Sequence, residues 1–299
     1  MEMTAGVAPY RWFETYYVIA GTLPTGDGGP PPLLTLHGGP GATHEYLLSL
    51  ADLARSGRAV IFYDQLGNGR STHLPERGAD FWTVELFRDQ LHSLIDHLGI
   101  AGGYHLLGQS WGGFLAQEHA LERPAGLRSL ILSNTAASFP AFVREANRLR
   151  QRLPAEVEAT LRRHEEAGST DDPEYEAACQ VFYQRHLCRL EPWPEEVQSS
   201  FQWMARDPTV YHTMNGPSEF HVIGSIKDWE AESRLAGIDA PTLVVSGRHD
   251  EATPALQEVL VTGIRRSRQV IFEESSHMPF WEERRAYMEA VAGWLAEFD

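Results

Sequence analysis

The sequence predicts an α/β fold, a mostly parallel sheet flanked by helices and interrupted by a helical insertion. Three observations carry that prediction. Short continuous apolar runs at 33–37, 59–63, 104–107, 127–132 and 241–246 have the character of strands buried on both faces. Helical periods alternate with them, which makes βαβ units. From 141 to about 222 no such strand run occurs. That stretch is rich in Glu, Arg, Ala and Leu, with Pro154, Pro173 and Pro194 placed as helix starts.

In chain order, residues 11–20 (RWFETYYVIA) are aromatic and β-branched and predict a first strand. Residues 25–32 (TGDGGPPP) read as a turn or loop. The strand 33–37 (LLTLH) runs straight into Gly38-Gly39-Pro40-Gly41, and the strand 59–63 (AVIFY) ends at Asp64. Between 81 and 98, Val84, Phe87, Leu91, Leu94, Ile95 and Leu98 recur at helical spacing, with Gly99 as the stop. The strand 104–107 precedes a tight turn, then a helix to about Glu122 and a strand at 127–132. The rhythm resumes with the strand 241–246 (PTLVVS), a helix at 256–263, a strand at 269–272 and a last helix at 281–298. This divides the chain into a core of 1–138 and 223–299 and a helical cap of 139–222.

Composition bounds the function. A chain of 299 residues can bury one large core with a lid, and 42% hydrophobic with 22% charged residues is ordinary for a soluble globular protein. The net charge of −16 argues against nucleic-acid or anionic-membrane partners, which need basic footprints, and is compatible with a cationic ligand. No apolar run is long enough to span a bilayer, and the first residues lack the pattern of a signal peptide. Cys179 and Cys188 are too few for a disulfide framework and suggest two half-buried thiols on a helical segment rather than a metal site. The expectation is a cytoplasmic protein with no cofactor and no metal; its oligomeric state is not legible.

The chemistry centres on Gly108-Gln109-Ser110-Trp111-Gly112. A G-x-S-x-G between a strand and a helix makes a turn so sharp that its flanking positions have no room for a Cβ, and it lifts the serine hydroxyl over the sheet edge at a helix N-terminus. A serine needs a base, and the base needs an acid behind it. In the α/β-hydrolase order of Ser, acid, His, Asp250 follows the strand 241–246 and His277 follows the strand 269–272. Of 13 histidines, His277 alone lies C-terminal to Asp250. Glu251 is the alternative acid, but Asp250 is nearer the strand end. Asp64 precedes the serine and is read as holding its own loop. An oxyanion hole needs two backbone N–H groups. Trp111, after the nucleophile, supplies one; Gly39 supplies the other, with Gly38 as the fallback.

His37-Gly38-Gly39-Pro40-Gly41, the stretch 64–71 (DQLGNGRS) and Gly108-Gln109-Ser110-Trp111-Gly112-Gly113 together resemble the proline iminopeptidase family of α/β-hydrolases. The stretches 214–220 (MNGPSEF) and 247–251 (GRHDE) resemble its subgroup that includes the tricorn-interacting aminopeptidase. The resemblance implies a serine aminopeptidase releasing an N-terminal proline or other small apolar residue from a peptide with a free N-terminus. It places Glu219 and Glu251 on the substrate's α-ammonium, with Glu45 as a third candidate. Phe139, Trp203, Tyr211 and Phe220 are candidates for the side-chain pocket. An L-amino-acid amidase or arylamidase on the same site is the close alternative; an esterase or a non-hydrolysing small-molecule receptor is further off.

Overall fold

The computed structural model describes residues 3–24 and 28–299. Eight strands form one sheet in the order β1-β2-β4-β3-β5-β6-β7-β8. They are β1 (Met3–Tyr10), β2 (Phe13–Ala20), β3 (Leu33–Leu36), β4 (Val60–Tyr63), β5 (Tyr104–Gln109), β6 (Leu127–Ser133), β7 (Thr242–Gly247) and β8 (Ser267–Phe272). Strands β3 to β8 run parallel, whereas β1 pairs with β2 and β2 with β4 in antiparallel fashion. Every residue of β3, β4, β5 and β7 is buried, as their unbroken apolar runs require. Loops that leave the carboxyl ends of the central strands therefore meet on one edge, where α/β sheets place their sites.

The first strand expected at residue 11 instead begins at Phe13. Arg11 and Trp12 form a two-residue hairpin turn, with Arg11 at φ +56°. The strand before it, β1, is an edge strand whose outer residues stay exposed, so its sequence carries no buried-strand signal. Of the expected 25–32 loop, Thr25, Gly26 and Asp27 lie outside the described residues; 28–32 has no regular structure.

Helix α1 (Val84–His97) is capped by Thr83, whose side chain accepts from the Leu86 N–H. Helix α2 (Trp111–Leu121) follows the serine directly. A 3₁₀ segment, His44–Ser56, which the sequence reading passed over, packs Tyr46, Leu47, Leu50 and Leu53 onto the sheet. Between β6 and β7 lie five α-helices, α3 (Phe139–Arg150), α4 (Ala155–Ala167), α5 (Pro173–His186), α6 (Glu195–Arg206) and α7 (Thr209–Met214), and a 3₁₀ helix, Glu232–Gly237. Pro154 and Pro194 immediately precede α4 and α6, and Pro173 opens α5, where a missing N–H costs nothing. Cys179 and Cys188 are free and buried rather than half-buried, and burial pushes both thiols up to about 12. The chain returns through β7, α8 (Pro254–Gly263) and β8. The single last helix expected at 281–298 is two, α9 (Pro279–Glu282) and α10 (Arg284–Ala296). The break falls at Glu283, whose carboxylate turns back to accept from the Glu274 N–H at 3.0 Å and the Ser275 hydroxyl at 2.6 Å.

Helix α6 docks on the loop that follows β3. Thr43 N–H donates to Ser200 Oγ at 3.0 Å, the Ser199 hydroxyl donates to Glu45, and the Arg70 guanidinium lies 5.4 Å from the Trp203 ring centre.

Candidate active site

Ser110 sits between β5 and α2 at φ +55° and ψ −124°, a conformation that L residues rarely adopt. The glycines around it are there because nothing else fits. A Cβ on Gly108 would lie 2.2 Å from the Gly112 carbonyl oxygen, and one on Gly112 would lie 2.2 Å from that of Leu36.

Asp250 and His277 come together at the ends of β7 and β8. His277 Nδ1 donates to Asp250 Oδ1 at 2.7 Å, which leaves Nε2 facing the cavity that Ser110 also lines. No hydrogen bond joins Ser110 Oγ to His277 Nε2 directly; the two share the cavity wall. Asp250 is fully satisfied in its burial. Oδ1 also accepts from the Ala252 N–H at 2.9 Å, and Oδ2 from Asn134 Nδ2 at 2.7 Å. The His277 loop is pinned by Glu282, which accepts from both the N–H and the hydroxyl of Ser276 at 2.7 Å.

The motif residues are tied to one another. Gln109 Oε1 accepts from the Tyr46 hydroxyl at 2.5 Å, and its Nε2 donates to the His277 carbonyl at 3.2 Å. Gln65 accepts from the Trp111 indole at 2.9 Å and donates to the His37 carbonyl at 2.8 Å. His37 Nε2 accepts from the Gln65 N–H at 3.0 Å, so Nδ1 carries the proton toward the Gly38 carbonyl. Burial lowers the His37 imidazole to about 4, which keeps it neutral. Asp64 does hold its own loop, accepting from both nitrogens His44 N and Nδ1 and from the Arg70 N–H.

Gly38 donates its N–H to the Tyr46 hydroxyl at 2.6 Å and is therefore spent. Gly39, at φ +109°, and Trp111 donate their N–H groups to no other group among the described residues. Both stand beside Ser110, Gly39 in the cavity wall and Trp111 as the next residue of the chain.

The same cavity has acidic residues in its wall. Glu219 and Glu251 line the same cavity as Ser110 and His277. Glu219 Oε1 accepts from the Tyr211 hydroxyl at 2.7 Å. Glu251 is fully buried and neither of its oxygens accepts a hydrogen bond among the described residues; His277 Nε2 stands 3.7 Å from Oε1. Burial raises both carboxyls, and the neighbouring Glu219 and Asp250 charges push Glu251 up further, well above the usual carboxylate range. Uncompensated buried carboxylates are costly.

Residues 31–284 match the family model of the alpha/beta hydrolase fold. Over 259 residues the chain is 42% identical to a proline iminopeptidase of Saccharolobus solfataricus, covering 87% of this chain and 83% of that protein. It is 37% identical to a Lactobacillus helveticus proline iminopeptidase over the full length of both. The chain belongs to the proline iminopeptidase family of α/β hydrolases. Among solved structures, the proline iminopeptidase of Mycobacterium smegmatis superposes with a TM-score of 0.90 at 44% identity, over 99% of this chain and 98% of that one. VinJ superposes with a TM-score of 0.96 at 48% identity over 99% of both chains.

Family membership makes the protein a serine aminopeptidase by class, and the remaining sequence expectations can be placed against it. Glu45 is not brought to the cavity. Its carboxylate is taken by Arg70 Nη1 at 2.6 Å and by the Ser199 hydroxyl, so it serves the docking of α6 and corrects the expectation of a third ammonium ligand. Of the four aromatic candidates, only Phe139 lines a hollow beside Ser110, together with Phe114 and Phe142. Trp203 lies under Arg70 and Arg206, and Phe220 packs against Phe182 and Arg150 inside the insertion. Tyr211 acts through Glu219. Sequence reasoning missed Asn134, Glu282 and the Tyr46–Gln109 pair. Asn134 alone left a trace, a polar residue at the carboxyl end of an apolar strand with φ +55°.

Among the described residues no helix is long and apolar enough to cross a membrane.

Proposed function

We propose that the protein removes an N-terminal proline or other small apolar residue from short peptides, in the cytoplasm, through an acyl-enzyme on Ser110. The observation that carries this reading is the pair Glu219 and Glu251, a half-buried and a fully buried carboxylate beside the serine with no lysine or arginine partner among the described residues. Such a pair asks for a cation from the ligand, and an α-ammonium supplies it. At 4 Å and an effective dielectric near 20, one such contact is worth roughly 4 kcal/mol before desolvation.

In this reading the Ser110 hydroxyl attacks the carbonyl of the first residue and passes its proton to His277 Nε2, while Asp250 holds the imidazolium that forms. The N–H groups of Gly39 and Trp111 receive the oxyanion. His277 returns the proton to the leaving nitrogen and the C–N bond breaks. Water then attacks the ester, giving its proton to His277, which hands it back to Ser110 as the free amino acid leaves. Phe114, Phe139 and Phe142 beside Ser110 offer the apolar contact for the side chain of the first residue, and 139–222 acts as a cap over the site.

The test compares a prolyl 4-nitroanilide, its N-acetyl form, an alanyl 4-nitroanilide and a short-chain nitrophenyl ester. The free amines should be cleaved and the acetylated amide refused. Turnover of the ester alone would overturn the assignment.

A further inference from the structure

The imidazole of His277 stands between two carboxyl groups. Its Nδ1 donates to Asp250 Oδ1 at 2.7 Å, so the ring carries its proton on that side and Nε2 presents a lone pair. Glu251 Oε1 lies 3.7 Å from that lone pair. The two carboxyls are consecutive in the chain, and their turn is fixed twice over. The Ala252 N–H donates to Asp250 Oδ1 at 2.9 Å, and the Glu251 N–H donates to the His186 carbonyl of α5 at 3.2 Å. A small rotation of the Glu251 side chain therefore puts an oxygen on the base. Ser110 Oγ makes no such bond to His277.

Glu251 is also placed to keep a proton. It is fully buried, and the titratable groups that act on it or feel its charge are Glu219, Asp250, His277, Tyr183 and Tyr211, with no lysine or arginine among them. Burial, then the two neighbouring negative charges, raises its carboxyl well above the usual range. A protonated carboxyl is a donor, and the lone pair of Nε2 is an acceptor. A proton passing between them engages the base whichever atom holds it. As imidazolium, His277 has no lone pair to offer; as imidazole, its lone pair is taken.

We propose that Glu251 occupies the His277 base at rest and that the α-ammonium of the substrate frees it. This gate rests on the ammonium role proposed above for Glu219 and Glu251. The incoming ammonium donates its N–H groups to the two carboxylates, and the proton shared by Glu251 and His277 departs to water. Nε2 is left with its lone pair for the Ser110 hydroxyl. A free N-terminus then does more than bind: it arms the base, and a substrate without an amine meets a base that is already engaged.

Hydrolysis of 4-nitrophenyl propionate, an ester with no amine, tests the gate, with ammonium chloride supplied separately. The propionyl group and the ammonium ion together make up an alanyl group divided at its C–N bond. Tetramethylammonium chloride at the same concentration matches the ionic strength but has no N–H to donate. At neutral pH, corrected for enzyme-free blanks, ammonium should raise kcat/KM for the ester by about tenfold or more, the scale of a general base brought into play, and tetramethylammonium should not. The activation should fade as pH rises, because the shared proton then leaves unaided. Glu251→Ala removes the occupant, so ester hydrolysis by that variant should start above the wild type and ignore ammonium. The wild-type series needs no variant and stands even if Glu251→Ala folds poorly. Ammonium that inhibits the ester reaction or leaves it unchanged, while prolyl 4-nitroanilide is cleaved, overturns the gate and leaves the aminopeptidase reading intact. Equal activation by tetramethylammonium also overturns it, because the effect is then one of ionic strength. Failure to cleave prolyl 4-nitroanilide overturns the reading on which the gate rests.

Discussion

Asp250 and Glu251 are neighbours in the chain, equally buried and built on opposite terms. Asp250 accepts from His277, Asn134 and the Ala252 N–H, so its charge is balanced inside the protein. Glu251 accepts from nothing among the described residues. The first is part of a finished network, which holds one tautomer and one geometry. On the function proposed above, the second is an incomplete site, kept expensive so that a ligand can complete it. Burial alone says little about a carboxylate's role; what distinguishes these two is whether the fold supplies the partner or leaves it to the substrate.

The sharpest test of the finished side is Ser110→Ala. Alanine can occupy φ +55° at a cost similar to serine, so the melting temperature should hold while turnover of prolyl 4-nitroanilide falls by about 10⁴-fold or more. Retained activity would dissolve the contrast altogether.

On the unfinished side, Glu251→Gln should lower kcat/KM for free-amine substrates by about 10²-fold, from the loss of one ion pair with the ammonium. It should also stabilise the protein. A buried carboxyl whose pKa is raised on folding contributes most below the ordinary carboxylate range and costs stability as pH rises through the raised value. Removing the charge lifts that cost, so thermal unfolding at neutral pH should rise by about 2–4 °C, the shift expected for ~1 kcal/mol in a domain of this order of size. The wild-type KM for free-amine substrates should climb on acidification at a pH above that of an ordinary glutamate, because protonation of Glu219 and Glu251 removes the ammonium's partners. A Glu251→Gln protein that melts lower and binds the ammonium equally well would mean that Glu251 belongs to the finished network after all.

The smallest effect on activity is expected at Asn134. Glycine tolerates its φ of +55°, so Asn134→Gly removes the side-chain bonds without backbone strain: that to Asp250 Oδ2, that to the Ser276 carbonyl and that from the Ser133 hydroxyl. A hydrogen bond to a charged group is worth about 1.5–3 kcal/mol, and stability should fall accordingly. Turnover should drop by about tenfold as the imidazole loses its fixed acid. The direction of the stability change, opposite to that of Glu251→Gln, is the point to check by calorimetry.

What the sequence discloses follows the reach of each interaction. Ser110 and Asp250 announce themselves because each follows a buried apolar strand, and His277 because chain order leaves it alone after Asp250, behind the half-buried edge strand β8; a parallel sheet brings such strand ends to one edge. Gly108 and Gly112 are legible for the same local reason. Glu45 misled because its partner, Arg70, is 25 residues away and only the fold puts the two at 2.6 Å. Asn134 stayed hidden because an asparagine after a strand is equally at home in any turn. The division of the last helix at Glu283 was unreadable because the apolar period runs through it, while the cause, two donors at Glu274 and Ser275, lies in the preceding loop. Strand β1 was missed because an edge strand with exposed outer residues has no need of a buried run.

Helix α6 is fastened to the loop that carries Gly39: Thr43 holds Ser200, and Glu45 holds Ser199, only a few residues past that glycine. With the roles proposed for Gly39 and for the insertion, any displacement of α6 is felt by the stretch of backbone that is to point an N–H at the reacting carbonyl, so that opening the site and arming it are opposed.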